Sequence, residues 1–309
     1  MTIEKNFHDV TVAIVAPSGY AADPCAVERA TVRLASWGWR VRNLYDAAAT
    51  YQRFGGTDAA RAAQLHAAAA DPEVDLIIAV RGGYGMSRLL PTLDLDALAA
   101  SGKLFVGHSD FTALQMALLA HAGAPSFAGP MICDDFSRAE ASDFTLRHFR
   151  ECVSNPVHSI SFEAQDNPQV DVSGMLWGGN LTMLTHLVGT PYLPRIEDGI
   201  LFIEDINEHP YRVERMLLQL FHAGLLRQKA ILFGDFSGYR LNEYDNGYDF
   251  GTMLDYLRAQ LGIPLLSGLP FGHIRDKVTL AVGSQTHLRS DGKTATLTMR
   301  GYPTPPVGT

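Results

Sequence analysis

Residues 74–80, VDLIIAV, form a run in which every residue after Asp75 is apolar. A strand of that composition has to be covered on both faces, which a parallel sheet flanked by helices provides. The surrounding sequence supplies the other parts. Val12–Ala16 reads as a second buried strand, ending at Pro17-Ser18-Gly19. Cys25–Trp37 puts Val27, Ala30, Leu34 and Trp37 on one helical face and is stopped by Gly38. A strand over Trp39–Leu44, a helix over Asp58–Ala70 capped by Thr57, a strand over Leu104–Val106 and a helix from Asp110 to Ala122 follow. This alternation predicts an α/β fold with a doubly wound, mostly parallel sheet, whose ligands sit at the carboxyl ends of the strands.

The character changes near residue 153. ECVSNPVHSISFEAQDNPQV (151–170) is polar and broken by proline, so residues 1–155 are expected to form an amino-terminal α/β domain and 156–172 a linker. Residues 173–309 then form a smaller carboxy-terminal domain. Its expected strands are Gly174–Trp177, Ile200–Ile203, Ala230–Phe233 and Val278–Val282. A helix over Pro210–Ala223 has Pro210 at its first position, Val213, Met216, Leu217 and Leu220 on one face, and Gly224 as its stop. Late strands at Thr286–Arg289 and Thr294–Met299 make this part α+β. The TPPVGT tail is expected to fray.

Composition excludes several classes of function. With 309 residues, 47% hydrophobic and 19% charged, the chain reads as a globular enzyme. A net charge of −8 without a Lys/Arg cluster argues against a nucleic-acid partner. MTIEKNFHDV has no apolar leader core, and no run approaches the ~18 apolar residues that span a bilayer, so a cytoplasmic protein is expected. Cys25, Cys133 and Cys152 are odd in number and widely spaced, as reduced thiols would be. None of the 11 histidines stands in an HExxH pair or beside a cysteine pair, so no metal is expected. No Walker or dinucleotide glycine pattern occurs, so no cofactor is expected either.

The stretch KLFVGHSDFTAL (103–114) carries the sharpest chemical signal. A short apolar strand reaches Gly107, then Ser109, then a helix, an order that lifts a serine hydroxyl out of a sheet edge beside the first helical amides. The second glycine of the usual G-x-S-x-G elbow is replaced by Phe111, and the competing reading is that Ser109 and Asp110 cap the helix. RGGYG (81–85) after VDLIIAV is either a tight turn or a nest of amides for an anion. Glu204 stands at the exit of an apolar strand in LFIEDINEHPYRVERML, where a buried carboxylate needs a partner. Asp205 and Glu208 read as complements to the dipole of the following helix. His273, in PFGHIRD, is a loop histidine able to serve Glu204. The order Ser109, Glu204, His273 is compatible with a hydrolase triad.

The chain resembles the LD-carboxypeptidases, the muramoyltetrapeptide carboxypeptidase family. VAPSG (15–19), RGGYG (81–85), GHSDFTAL (107–114), GPM (129–131), GGNLTML (178–184), GTP (189–191), LFIEDINEHPYRVERMLLQL (201–220) and PFGH (270–273) carry the resemblance. It implies a serine peptidase with Ser109 as nucleophile, His273 as base and Glu204 as the acid behind it. It also implies backbone amides of Gly83 and Asp110 as oxyanion donors. The substrate it implies is a murein tetrapeptide, losing its terminal D-alanine, and the assembly a homodimer. His108 departs from the aromatic residue common before the serine, which implies a changed pocket wall. No long insertion separates Ser109 from Glu204, which favours the peptidoglycan-recycling branch over the microcin-immunity branch that cleaves peptidyl-nucleotides. A muropeptide-binding protein without activity is the rival from another class. Arg81, Arg212 and Arg215 are open candidates for gripping the substrate's terminal carboxylate.

Overall fold

The computed structural model describes residues 10–163 and 166–305. Residues 1–9, read for a leader segment, and 306–309, the end of the tail, lie outside the described residues, as do 164–165 within the expected linker. In the first half, β1 (Thr11–Val15), β2 (Arg40–Asn43), β3 (Leu76–Ala79), β4 (Leu104–Gly107) and β5 (Ser126–Ala128) form a parallel sheet in the order β2-β1-β3-β4-β5. All four residues of β3 have no exposed surface, as the opening run of apolar residues requires. Leu76, Ile77 and Ile78 each contribute roughly 1.5–3 kcal/mol by leaving water.

The helices α1 (Ala26–Ala35), α2 (Asp58–Ala70), α3 (Met86–Leu89), α4 (Leu95–Ala100), α5 (Thr112–Ala122) and α6 (Asp143–Ser154) connect these strands and lead out of the sheet. α2 begins where the Thr57 hydroxyl accepts from the Ala60 amide. α5 is buried on every side from Thr112 to Leu119, because it lies between the first sheet and the second half of the chain. Its stop is Gly123 in the left-handed region, φ 62°. The strand order reverses between β1 and β3. The loops after β1, β3 and β4 therefore open onto one crevice at the carboxyl edge.

The second half builds a mixed sheet from β6 (Val157–Glu163), β7 (Val170–Asn180), β8 (Gly199–Glu204), β9 (Gln228–Phe233), β10 (Leu265–Leu266), and two late strands. β11 (Leu280–Val282) precedes those two, β12 (Gln285–Ser290) and β13 (Thr294–Arg300). The order is β10-β9-β8-β7-β12-β13-β6, parallel from β10 to β7 and antiparallel beyond it. The helices α7 (Leu181–His186), α8 (Pro210–His222) and α9 (Phe250–Leu261) complete this half.

Two features differ from the sequence expectation. Residues 157–163, assigned to a linker, form β6 and pair along their length with β13. The strand lies at a sheet edge and is half exposed. Its signal is therefore the alternation of His158, Ile160 and Phe162 with polar neighbours, not an apolar run. β11, expected with the strands of the second half, instead pairs antiparallel with β5 and completes the first sheet.

A buried ion pair also crosses between the halves. Lys277 Nζ lies 2.8 Å from Asp135 Oδ1, and both side chains are at most 2% exposed. Asp135 belongs to a π-helical turn, Ile132–Phe136, and its other oxygen accepts from the Met131 amide. Lys277→Met strands a carboxylate without its counter-charge and should cost about 3–5 kcal/mol in urea unfolding. Adding Asp135→Asn removes the stranded charge, keeps an acceptor for Met131, and should recover part of that loss.

Candidate active site

Ser109 follows β4 by two residues and opens a 3₁₀ turn, Ser109–Phe111, that runs into α5. Its φ is +62°, a left-handed conformation that a side chain adopts only when its surroundings enforce it. Those surroundings are visible. A Cβ on Gly107 would meet the Phe111 ring at 2.7 Å, and one on Gly82 would lie 2.8 Å from Ser109 Cβ. Phe111, standing where an elbow usually has its second glycine, is fully buried and packs on Gly107 instead. The capping alternative fails: neither the 3₁₀ turn nor α5 receives a side-chain cap, from Ser109 or Asp110 or any other residue.

The serine hydroxyl is 3.1 Å from His273 Nε2, and His273 Nδ1 is 2.7 Å from Glu204 Oε2. The three residues expected to act together are thus hydrogen-bonded in that order. Glu204 is the last residue of β8 and has no exposed surface. Its neighbour across the parallel register is Asn180, the last residue of β7. The Asn180 amide group donates to Glu204 Oε1 at 3.2 Å and to Asp205 Oδ1 at 2.9 Å. Gly272, φ +140°, lets the histidine loop pass close by; a Cβ there would lie 3.3 Å from Glu204 Oε2.

Burial pulls the His273 imidazole down, but the hydrogen bond and charge of Glu204 outweigh it, and the ring titrates above its ordinary value of 6.5. His108 is also buried and carries the proton on Nδ1, which donates to the Gly129 carbonyl at 2.9 Å. Desolvation, reinforced by the Lys277 and His273 charges, holds His108 well below the usual imidazole range, so it stays neutral. Its ring meets His273 edge-on at 5.3 Å and Phe271 at 6.2 Å, so it packs against the His273 imidazole.

Asp205 and Asn180 are the site residues that sequence reasoning missed. Asp205, read as a dipole complement for α8, is buried and accepts from Asn180, the Ile206 amide, and both the amide and hydroxyl of Thr182. It holds the start of α7 and the residue that holds Glu204. Glu208 does remain near the surface, 3.5 Å from Arg212. The signal for Asn180 was the GGN that closes β7. A Cβ on Gly178 would sit 1.9 Å from the Phe202 carbonyl oxygen, and one on Gly179 2.5 Å from Thr112 Oγ1.

The loops around Ser109 are tied to one another. Asp110 Oδ2 accepts from the Ser18 hydroxyl at 2.6 Å and the Met86 amide at 2.8 Å, joining the loops after β1 and β3 to the elbow. Burial raises the Asp110 carboxyl, against the lowering effect of those two bonds. Buried Arg61 braces the same loops, donating to the Gly85 carbonyl at 3.1 Å and to that of Pro17. Gly83 has φ +104°, a left-handed conformation that glycine adopts freely, and a Cβ there would meet nothing within 4 Å. Arg81, partly buried, runs past Gly19, and its Nε has no hydrogen-bond partner. Arg212 and Arg215 are exposed on α8.

Residues 12–129 match the LD-carboxypeptidase N-terminal domain and residues 173–288 the LD-carboxypeptidase C-terminal domain. The murein tetrapeptide carboxypeptidase of Pseudomonas aeruginosa is 31% identical over 300 residues, covering 94% of this chain and 93% of its own length. The chain belongs to the LD-carboxypeptidase family. This family membership makes the enzyme a serine carboxypeptidase. The crystal structure of a muramoyltetrapeptide carboxypeptidase from Oxalobacter formigenes superposes with a TM-score of 0.92 at 53% identity, covering 96% of this chain and all of that one. The microcin C7 self-immunity protein shares the LD-carboxypeptidase fold, with a TM-score of 0.85 at 23% identity over 96% of this chain and 98% of its own.

The raised imidazole of His273 gives the site a definite pH dependence. The role of base expected for His273 requires the neutral ring, so kcat/KM should fall as pH drops through a value above 6.5. Glu204→Gln removes the charge that raises it and leaves burial to dominate. The acid limb should then move below 6.5, while kcat falls on the order of 10³–10⁴-fold. In stability the sign is opposite: the pair's contribution is full below pH ~6.5 and is lost as pH rises through the folded-state value. Asp205→Asn should cost about 1–3 kcal/mol in thermal unfolding, since it breaks acceptors that are buried. A stability loss below ~0.5 kcal/mol would return Asp205 to a surface role.

Proposed function

We propose that this LD-carboxypeptidase removes the terminal D-alanine from murein tetrapeptides by an acyl-enzyme route. The observation that supports this reading is the continuous hydrogen-bonded line from Ser109 Oγ through His273 to buried Glu204, set on a strained elbow. His273 Nε2 takes the hydroxyl proton as Ser109 Oγ attacks the carbonyl carbon of the L-centre, diaminopimelate or lysine, that precedes D-alanine. Glu204 fixes the ring with its proton on Nδ1 and stabilises the imidazolium. The Gly83 and Asp110 amides receive the developing oxyanion. The C–N bond then breaks, and His273 returns the proton to the departing D-alanine amine. Water attacks the acyl-serine by the same proton route, releasing the tripeptide and restoring Ser109.

Arg81 is the cation we assign to the substrate's terminal carboxylate, because it starts the loop over Ser109 and holds a buried Nε without a partner. Three free cysteines suit a reducing compartment, so we place the reaction in the cytosol, serving peptidoglycan recycling, with the enzyme as a homodimer. No described helix is long and apolar enough to cross a membrane.

Mass spectrometry of a defined tetrapeptide should show loss of one alanine, and Ser109→Ala should reduce kcat on the order of 10⁴–10⁶-fold without unfolding. A fluorophosphonate should label wild type and not this variant. Turnover of a peptidyl-adenylate analogue in preference to the tetrapeptide would move the enzyme to the immunity-type reaction. An unlabelled serine with intact tetrapeptide would leave only a binding protein.

A further inference from the structure

Among the described residues, one group of three side chains brings metal-ligating atoms within 4.8 Å of one another: His148, Glu151 and His158. His148 and Glu151 are three residues apart on α6 and therefore share a face. His158 comes from the inward row of β6. His148 Nδ1 lies 3.3 Å from His158 Nε2, with the two rings edge to face at 5.4 Å. The Phe144 ring packs on His148 at 4.4 Å and limits its rotation.

Two imidazole nitrogens this close cannot both carry a proton, so at least one already points a lone pair at the other. Their separation is also informative. Two ligands held 2.0–2.1 Å from a tetrahedral ion stand about 3.3 Å apart, the spacing found between these two nitrogens. Glu151 is exposed and supplies an anionic oxygen from the solvent side. We infer that His148, Glu151 and His158 form a binding site for a divalent transition ion of the zinc type, with water as fourth ligand. Two imidazoles and one carboxylate are a donor set suited to such ions. Binding through His148 Nδ1 and His158 Nε2 leaves one proton on the opposite nitrogen of each ring, so neither ring needs to ionise. The site joins the end of α6 to the edge strand β6 across the Asn155-Pro156 turn, and its effect is on stability.

Sequence reasoning missed this site because it searched for paired motifs, whereas the third ligand lies on a strand read as linker. The test uses the full chain, stripped with a chelator, dialysed and titrated with zinc chloride in a calorimeter. One equivalent should bind and raise Tm on the order of 5 °C, and cobalt should give the visible bands of a four-coordinate ion. Glu151→Gln, an exposed substitution that leaves folding intact, should weaken binding at least ~10-fold, and His158→Gln should abolish it. Alanine release from the tetrapeptide should be equal with and without the chelator, so this site fails or stands independently of the peptidase reading. No stoichiometric binding would overturn the proposal. So would unchanged affinity in Glu151→Gln, which would put the ion on surface pairs such as His121–Asp96 or His287–Asp171.

Discussion

A carboxylate with no exposed surface has to be matched by hydrogen bonds or give up its charge, and Glu204 is such a group. Its two oxygens are taken by His273 and Asn180. Asn180 in turn needs a fixed backbone, provided where its own amide donates to Thr112 Oγ1 at 3.1 Å. Thr112 is the first residue of α5, the helix that Ser109 leads into. A single buried charge thus connects the end of the second sheet to the elbow of the first. The glycines of GGN fit the same arrangement, since a Cβ on Gly178 would strike the Phe202 carbonyl of neighbouring β8 and one on Gly179 would strike Thr112 of α5.

The backbone around Ser109 obeys a second constraint of the same kind. A left-handed serine is unfavourable by roughly 1–3 kcal/mol, and it persists because its neighbours over-determine it. Asp110 does this with one carboxylate oxygen, which collects the Ser18 hydroxyl and the Met86 amide. The residue after the serine therefore has a structural duty of its own, carried by its side chain.

How much of this was legible in the sequence depended on the range of the interaction. VDLIIAV declared a doubly covered strand because burial on both faces leaves no room for polar residues, and the helices beside it carried period and stop signals. Ser109 and Glu204 stood where a buried strand gives out, and His273 stood on a glycine- and proline-marked loop, each at a point its own element does not explain. Asp205 was misjudged because proximity to α8 in the chain hid its spatial partners on α7. β6 was hidden for a different reason. A half-exposed edge strand keeps polar residues at every second position, and its pairing with β13 is written in neither segment alone. β11 could be recognised as a strand, but nothing local says which sheet it joins.

That last pairing has a consequence for when the site is assembled. Chains fold from the amino terminus as they are synthesised, and the first five strands are complete long before β11 emerges. Until then β5 is an open edge, the kind that recruits other strands. The segment that closes it also carries His273, just upstream of β11 and anchored where the Val278 amide donates to the Pro270 carbonyl. Sealing the sheet and delivering His273 are therefore one late event of high contact order. A nascent or truncated chain holds a left-handed Ser109 without His273 beside it, and the hydrogen-bonded line to Glu204 is completed only when this last segment is in place.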